Sequence, residues 1–342
     1  MSRMKTIEIA TETRVSKIVI GESYKNLSRY LPSGKSIIVT DDNILKHYGT
    51  DLPPFSVISI GLGEKHKTLE TLSFIFDKLV DYEADRSTFI VGIGGGIVCD
   101  VAGFAASVFM RGLRFGFVST TLLSQVDASV GGKNGVNFRG YKNMIGIFNQ
   151  PEFVIIDTTM LETLDKREFR SGFAEIVKAA AIRDESLFRY LENHCPDALQ
   201  NKPDVMEKLI YGAVQIKAQV VLNDEKEKGE RKILNFGHTF AHAIEHNTGM
   251  LHGEAVSTGM VMAAGLSVKL GLLPATEFDR ITQILGKLKL PVNMKTDYPA
   301  LIAAMKKDKK REGDSLHMVF LNRIGNAIIH KISFNQLENL LV

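Results

Sequence analysis

Up to about residue 157, short β-branched runs alternate with amphipathic stretches. Ser36–Thr40 and Val57–Ile60 predict strands, Leu69–Val80 a helix and Thr88–Val91 the next strand. Gly94-Gly-Gly96 then opens a further helix through Phe104. Phe115–Ser119 and Phe153–Asp157 complete the pattern, and the segment before Ile18-Val-Ile20 adds an antiparallel pair. Such β/α alternation predicts a mostly parallel sheet covered on both faces, a Rossmann-like α/β domain over 1–157.

From about Leu161 the period lengthens to that of helices. Glu168–Ile182, Pro203–Val221, Phe236–His246, Gly253–Lys269 and Ala275–Leu285 all carry apolar stripes. Strand signals return only at Met318–Leu321 and Ala327–His330, with Arg323–Asn326 as their turn. The expectation is a mainly α-helical C-terminal domain over 158–342.

Composition narrows the class without deciding it. The chain is 44% hydrophobic and 24% charged, ordinary for a soluble globular enzyme. A net charge of +3 is too small to favour a nucleic-acid partner, and the charge run Lys306–Glu312 reads as a solvated loop or helix end. The two cysteines, Cys99 and Cys195, have no CxxC spacing, which fits a reducing, cytoplasmic setting. The beginning of the chain has no apolar signal-peptide core. The most apolar window, Phe89–Met110, contains Asp100 and five glycines, so it reads as a glycine-rich turn and buried helix, not a membrane span.

Candidate chemistry falls in two groups. Gly94-Gly-Gly96 follows a strand and precedes a helix, where glycines let backbone N–H groups approach a pyrophosphate. Gly63–Lys67 and Thr120-Thr121 also follow strands, at the sheet edge where α/β proteins bind ligands. Each of the three also reads as a plain turn. The second group lies in the helical half. His238 and His242 are four apart, so one helical face carries both, and His252 follows in Leu-His-Gly-Glu. Glu175 sits among Phe173, Ala174, Ile176 and Val177. It reads either as half of a helical ion pair with Lys178, worth about 0.2–0.5 kcal/mol, or as a metal ligand. Glu175, His238 and His252 together make one oxygen and two nitrogen ligands, the pattern of a catalytic zinc site with open positions.

In order along the chain come GEKHK, GGGIVCD, MRG, STTLL, VDASVGGK, KNMIG, AEIVK, NFGHTFAHAIE, LHGEA and DKK. This series resembles the 3-dehydroquinate synthase family of sugar-phosphate cyclases from about Thr40 to Gly325. The resemblance implies NAD and a divalent metal, usually zinc, as cofactors. It also implies conversion of 3-deoxy-D-arabino-heptulosonate 7-phosphate to 3-dehydroquinate and phosphate, the second step of the shikimate route. The implied course is transient oxidation by NAD, β-elimination of phosphate, re-reduction and intramolecular aldol closure.

By the same resemblance, Asp42, Glu64, Lys67, Gly94, Gly95, Gly96, Ile97, Asp100, Thr120, Thr121, Lys133, Lys142, Asn143, Leu161 and Thr163 belong to the NAD site. Glu175, His238 and His252 are the metal ligands. Asp127, Lys133, Lys178, Lys217, Arg231, Asn235 and His242 handle substrate, and Lys309 or Lys310 reaches its phosphate. Arg111 enters the neighbouring subunit's site, which implies a homodimer. The segment Val136–Tyr141 departs from the family pattern, with an expected change of loop shape and none of chemistry. Rival readings are a 2-deoxy-scyllo-inosose or epi-valiolone synthase, and, sharing only architecture, a glycerol or iron-type alcohol dehydrogenase.

Overall fold

The computed structural model of the chain describes residues 4–11, 14–293, 298–306, 311, 312 and 314–341. It divides into two compact units between Asp165 and Lys166. Among the described residues, no helix is long and apolar enough to cross a membrane.

The first unit runs β1 (Lys5–Ala10), β2 (Val15–Ile20), β3 (Ser36–Asp41), α1 (Asp42–Tyr48), β4 (Ser56–Ile60), α2 (Leu69–Asp81), β5 (Phe89–Gly94), α3 (Gly96–Val108), β6 (Arg114–Ser119), β7 (Lys133–Phe138), β8 (Tyr141–Phe148) and β9 (Phe153–Ile156). Seven strands form one sheet in the order β1-β2-β9-β6-β5-β3-β4. All neighbours are parallel except β1 and β2. Strands buried on both faces need apolar side chains at every position, which is why Ile37-Ile-Val39 and Phe89-Ile-Val91 read as unbroken runs. Phe89, Val91, Ile93, Val118 and Ile155 share one core cluster with Tyr24, Leu27 and Ile44.

The strand order places a switch point between β3 and β5, one strand in from the β4 edge of this sheet. From β3 the chain goes outward to β4, then crosses back to β5 on the other side of β3, and continues away to β6. The connections leaving the carboxyl ends of β3 and β5 therefore diverge, leaving a crevice between them. Asp42 stands at one lip and Gly94–Gly96 at the other.

The sequence pattern predicts no element at α1 or over residues 133–148, which form an antiparallel hairpin, β7 with β8. Its turn lies within Val136–Tyr141, where Asn137 is tied to three candidate cofactor-site residues. Asn137 donates to Glu64 Oε1 at 2.8 Å, takes the Asn143 amide at 2.9 Å on its Oδ1, and gives its own N–H to the Lys67 carbonyl at 2.8 Å.

The second unit contains α4 (Lys166–Arg183), α5 (Glu185–Leu199), α6 (Pro203–Asn223), α7 (His238–Thr248), α8 (His252–Lys269), α9 (Ala275–Lys287), α10 (Tyr298–Lys306), β10 (Arg311–Glu312), β11 (Ser315–Arg323), β12 (Asn326–Ser333) and α11 (Phe334–Leu341). The three strands pair antiparallel. The sequence pattern misses α5 because Pro196 lies inside it, and the helix bends there at His194 (φ −119°, ψ 18°). α4 is the axis of the unit: every residue from Ser171 to Ile182 is buried, with α5, α6, α8 and α9 packed around it.

Candidate functional site

In the first unit, the glycine turn is held close by its surroundings. The Thr120 amide donates to the Gly94 carbonyl at 3.0 Å, locking the end of β5 to the turn after β6. A Cβ at Gly95 would lie 2.9 Å from Thr121 Cγ2, so any larger residue would have to displace the Thr121 side chain. Gly95 caps α3 without a side chain, so the first-turn N–H groups of Gly96 and Ile97 are left for an anion.

A polar cluster flanks that turn. Lys67 Nζ lies 2.5 Å from Asp100 Oδ2 and 2.5 Å from Asn143 Oδ1, with the lysine almost fully buried. The Asp42 carboxylate takes the Ser59 hydroxyl at 2.6 Å, joining the ends of β3 and β4. Thr163 Oγ1 pairs with the Tyr48 hydroxyl at 2.7 Å, and Leu161 is buried in the same turn. Asp127 lies in a wide turn over Ser124–Ala128, directly after Thr121. Lys133 and Lys142 are exposed on the hairpin. Arg111 is exposed beyond α3 at φ 70°, next to Met110 at φ 48°.

In the second unit, three helices bring distant residues to one point. Glu175 on α4, His238 at the start of α7 and His252 at the start of α8 place one ligand atom each within 4.8 Å of one another. Glu175 Oε1 is 3.6 Å from His238 Nε2 and 3.5 Å from His252 Nε2. Those gaps are too long for hydrogen bonds, and Oε1 is buried without a hydrogen-bond partner. Ligands about 2.0–2.1 Å from a tetrahedral zinc stand about 3.3–3.4 Å apart, close to the two Glu175–histidine gaps here. The donor set and its geometry thus fit a divalent cation. The other carboxylate oxygen, Oε2, is paired with Lys178 Nζ.

Close helix approach makes this convergence possible. A Cβ at Gly253 would come 1.9 Å from the Ser171 carbonyl oxygen, so α8 can meet α4 only through glycine there. Gly237, at φ 79°, starts α7 in a left-handed turn, and a Cβ there would strike the Met260 backbone at 2.7 Å. Hydrogen bonds then orient the imidazoles. His238 Nδ1 is 3.3 Å from the Phe236 carbonyl, and His252 Nδ1 is 2.8 Å from Glu245 Oε1. Burial pulls the His252 pKa down, but the Glu175 and Glu245 carboxylates outweigh it and push it up to about 9.

The remaining predicted residues of this unit sit on the same packed elements. Lys217 is buried on α6, which packs on α4 and on the turn Glu230–Asn235. Arg231 is fully buried in that turn; its amide donates to Asp224 at 3.0 Å and its guanidinium to the Glu225 carbonyl. Asn235 donates to Glu227 Oε1 at 2.5 Å. His242 lies one turn beyond His238, its ring edge-on to it at 5.8 Å between centroids. Lys309 and Lys310 lie outside the described residues. Sequence reasoning missed Glu245 and Asn137. Only Glu245 carried a signal, as an acid in the same helical stretch as His238 and His242.

Comparison with known proteins covers both units. The family model for the 3-dehydroquinate synthase N-terminal domain matches residues 57–171, and that for the C-terminal domain matches 172–311. The 3-dehydroquinate synthase of Campylobacter curvus is 45% identical over 313 residues, 89% of each chain. The structure of 2-epi-5-epi-valiolone synthase from Streptomyces hygroscopicus, with NAD⁺ and Zn²⁺ bound, superposes with a TM-score of 0.88 at 29% identity over 95% of both chains. A 2-deoxy-scyllo-inosose synthase complexed with carbaglucose-6-phosphate, NAD⁺ and Co²⁺ reaches 0.88 at 27% identity, over 98% of this chain and 99% of that one. With both of its units matched and identity this high over most of its length, the chain belongs to the 3-dehydroquinate synthase family.

Proposed function

We infer that this chain is a 3-dehydroquinate synthase, converting 3-deoxy-D-arabino-heptulosonate 7-phosphate to 3-dehydroquinate and phosphate with NAD⁺ and a divalent metal, zinc foremost. The observation that carries the reading is the Glu175–His238–His252 cluster in a chain 45% identical to a curated synthase. Bound to this chain, NAD supplies a reversible hydride acceptor and the metal a Lewis acid for substrate hydroxyls.

The protein's own part is binding and orientation. Glu175, His238 and His252 hold the metal. The Gly95–Ile97 turn receives the NAD pyrophosphate on its amides, while Asp42, Glu64, Lys67, Asp100, Thr120, Thr121, Lys133, Lys142, Asn143, Leu161 and Thr163 shape the rest of the cofactor site. Lys217 and Arg231 take the substrate carboxylate and ring hydroxyls, joined by Asp127 and Lys178. Asn235, His242, one of Lys309 and Lys310, and Arg111 from a second subunit take the phosphate. Lys217 and Arg231 are buried cations on elements that pack together, which supports their assignment to an anionic substrate group.

We assign the enzyme to the cytoplasm as a homodimer, without a nucleic-acid or membrane partner. Free, buried Cys99 and Cys195 and a net charge of +3 support that setting. The test is phosphate release from three substrates under identical conditions. The heptulosonate phosphate should release phosphate with NAD⁺ and Zn²⁺ present, and glucose 6-phosphate and sedoheptulose 7-phosphate should not. Release from either of those two instead would move the chain to the inosose or valiolone branch.

A further inference from the structure

The metal cluster has an ionisable neighbour that binds no substrate or cofactor in the reading above. Glu245 lies in the third turn of α7, with its side chain almost completely buried. Its Oε1 reaches past the short Gly249–Leu251 connection to His252 Nδ1, the first residue of α8, at 2.8 Å. An ionised carboxylate accepts and does not donate, so the proton of a neutral His252 belongs on Nδ1. The lone pair of Nε2 is then left facing Glu175 Oε1, 3.5 Å away.

We propose that Glu245 is the positioning residue of the metal centre: it fixes the Nδ1–H tautomer and ring orientation of His252, and strengthens that imidazole as a ligand. The proposal rests on the metal-site reading given above. A contrast within the cluster supports it. His238 is oriented in the same sense, but by a neutral backbone carbonyl at the longer distance of 3.3 Å. One imidazole is thus held by a charge and the other by a dipole. A carboxylate behind a ligating histidine raises its basicity and restrains its ring, and losing such a partner weakens metal affinity about 10–100-fold. Glu245 also joins α7 to α8, so a purely structural role is the competing explanation. Measurements on the metal itself separate the two.

The experiment uses full-length protein, stripped by chelator and reloaded with Zn²⁺ or Co²⁺. Zn²⁺ affinity is measured by competition with a chromophoric chelator, and the ligand field by Co²⁺ absorption. Glu245→Ala should bind Zn²⁺ about 10–100-fold more weakly than the parent, release it faster, and shift the Co²⁺ bands. Glu245→Gln should lose less, because its carboxamide oxygen still accepts from Nδ1–H while the charge is gone. Parent-like affinity and an unshifted Co²⁺ spectrum in both variants would overturn the proposal. If Glu245→Ala fails to fold, Glu245→Gln decides alone: parent-like affinity and spectrum overturn the proposal, a weaker and shifted site upholds it. Failure of the underlying metal-site reading looks different. In that case the parent takes up no metal, or His252→Ala binds it as tightly as the parent, and both inferences fall.

Discussion

Acidification should strip the metal from the Glu175–His238–His252 cluster, and the structure sets the size of the effect. In metal-free protein, burial pulls the His252 pKa down while Glu175 and Glu245 push it up, for a net value of about 9. A metal takes only the neutral imidazole, so binding near neutral pH must expel the His252 proton. From this group alone, apparent affinity should fall about tenfold per pH unit below about 9, or about a hundredfold between pH 8 and pH 6. Calorimetric titration of Zn²⁺ in buffers of different ionisation heat should show at least one proton released per metal near neutrality. Affinity that stays flat over that range, with no proton release, would refute the reasoning. The metal-free protein should show the opposite trend. A raised histidine pKa contributes stability that is fully present below 6.5 and is lost as pH rises through about 9. Chelated protein should therefore unfold more readily at the alkaline end of that window.

Three further outcomes follow from named contacts. Glu175→Ala should abolish metal uptake and break the buried ion pair with Lys178, costing about 3–5 kcal/mol in denaturant unfolding. Adding Lys178→Met should recover most of that stability and none of the metal; a double variant no more stable than the single would remove the ion-pair argument. Gly253→Ala should push α8 from α4, because its Cβ would sit 1.9 Å from the Ser171 carbonyl oxygen, and metal affinity should drop with stability. Unchanged affinity and melting would show that the helix contact is not what positions His252. Inactive Arg111→Ala and inactive Glu175→Ala chains, allowed to exchange subunits, should regain activity if Arg111 acts in trans. No recovery in proven heterodimers would return Arg111 to its own subunit.

The sheet of the first unit was legible because its strands are buried on both faces. Runs such as Ile37-Ile-Val39 cannot be amphipathic, and the elements they predict form with boundaries shifted by only a few residues. The β7–β8 hairpin was not legible. Its sequence is rich in Gly, Asn and Lys, and its register is pinned by tertiary bonds such as Asn134 Nδ2 to the Asn149 carbonyl at 2.8 Å. α5 was hidden by Pro196, whose cost to the helix is confined to one bend at His194. In the second unit, residue types and spacing suggested the donor set. They could not show that Glu175, far back on α4, meets residues of α7 and α8. That depends on Gly237 and Gly253, whose missing side chains matter only once the helices are packed. Glu245 and Asn137 were missed for a related reason. Each meets a candidate site residue through a hydrogen bond to a neighbouring element, and no local pattern records such a bond.

The central claim is that the enzyme oxidises the C5 hydroxyl of its substrate and reduces the same carbon again, with no net consumption of NAD⁺. Substrate deuterated at C5 tests this most directly. Product formed by chelator-stripped, Zn²⁺-reloaded enzyme should retain the deuterium, with phosphate released and no accumulation of NADH. Loss of the label to solvent, or one NADH formed for each phosphate released, would contradict the account.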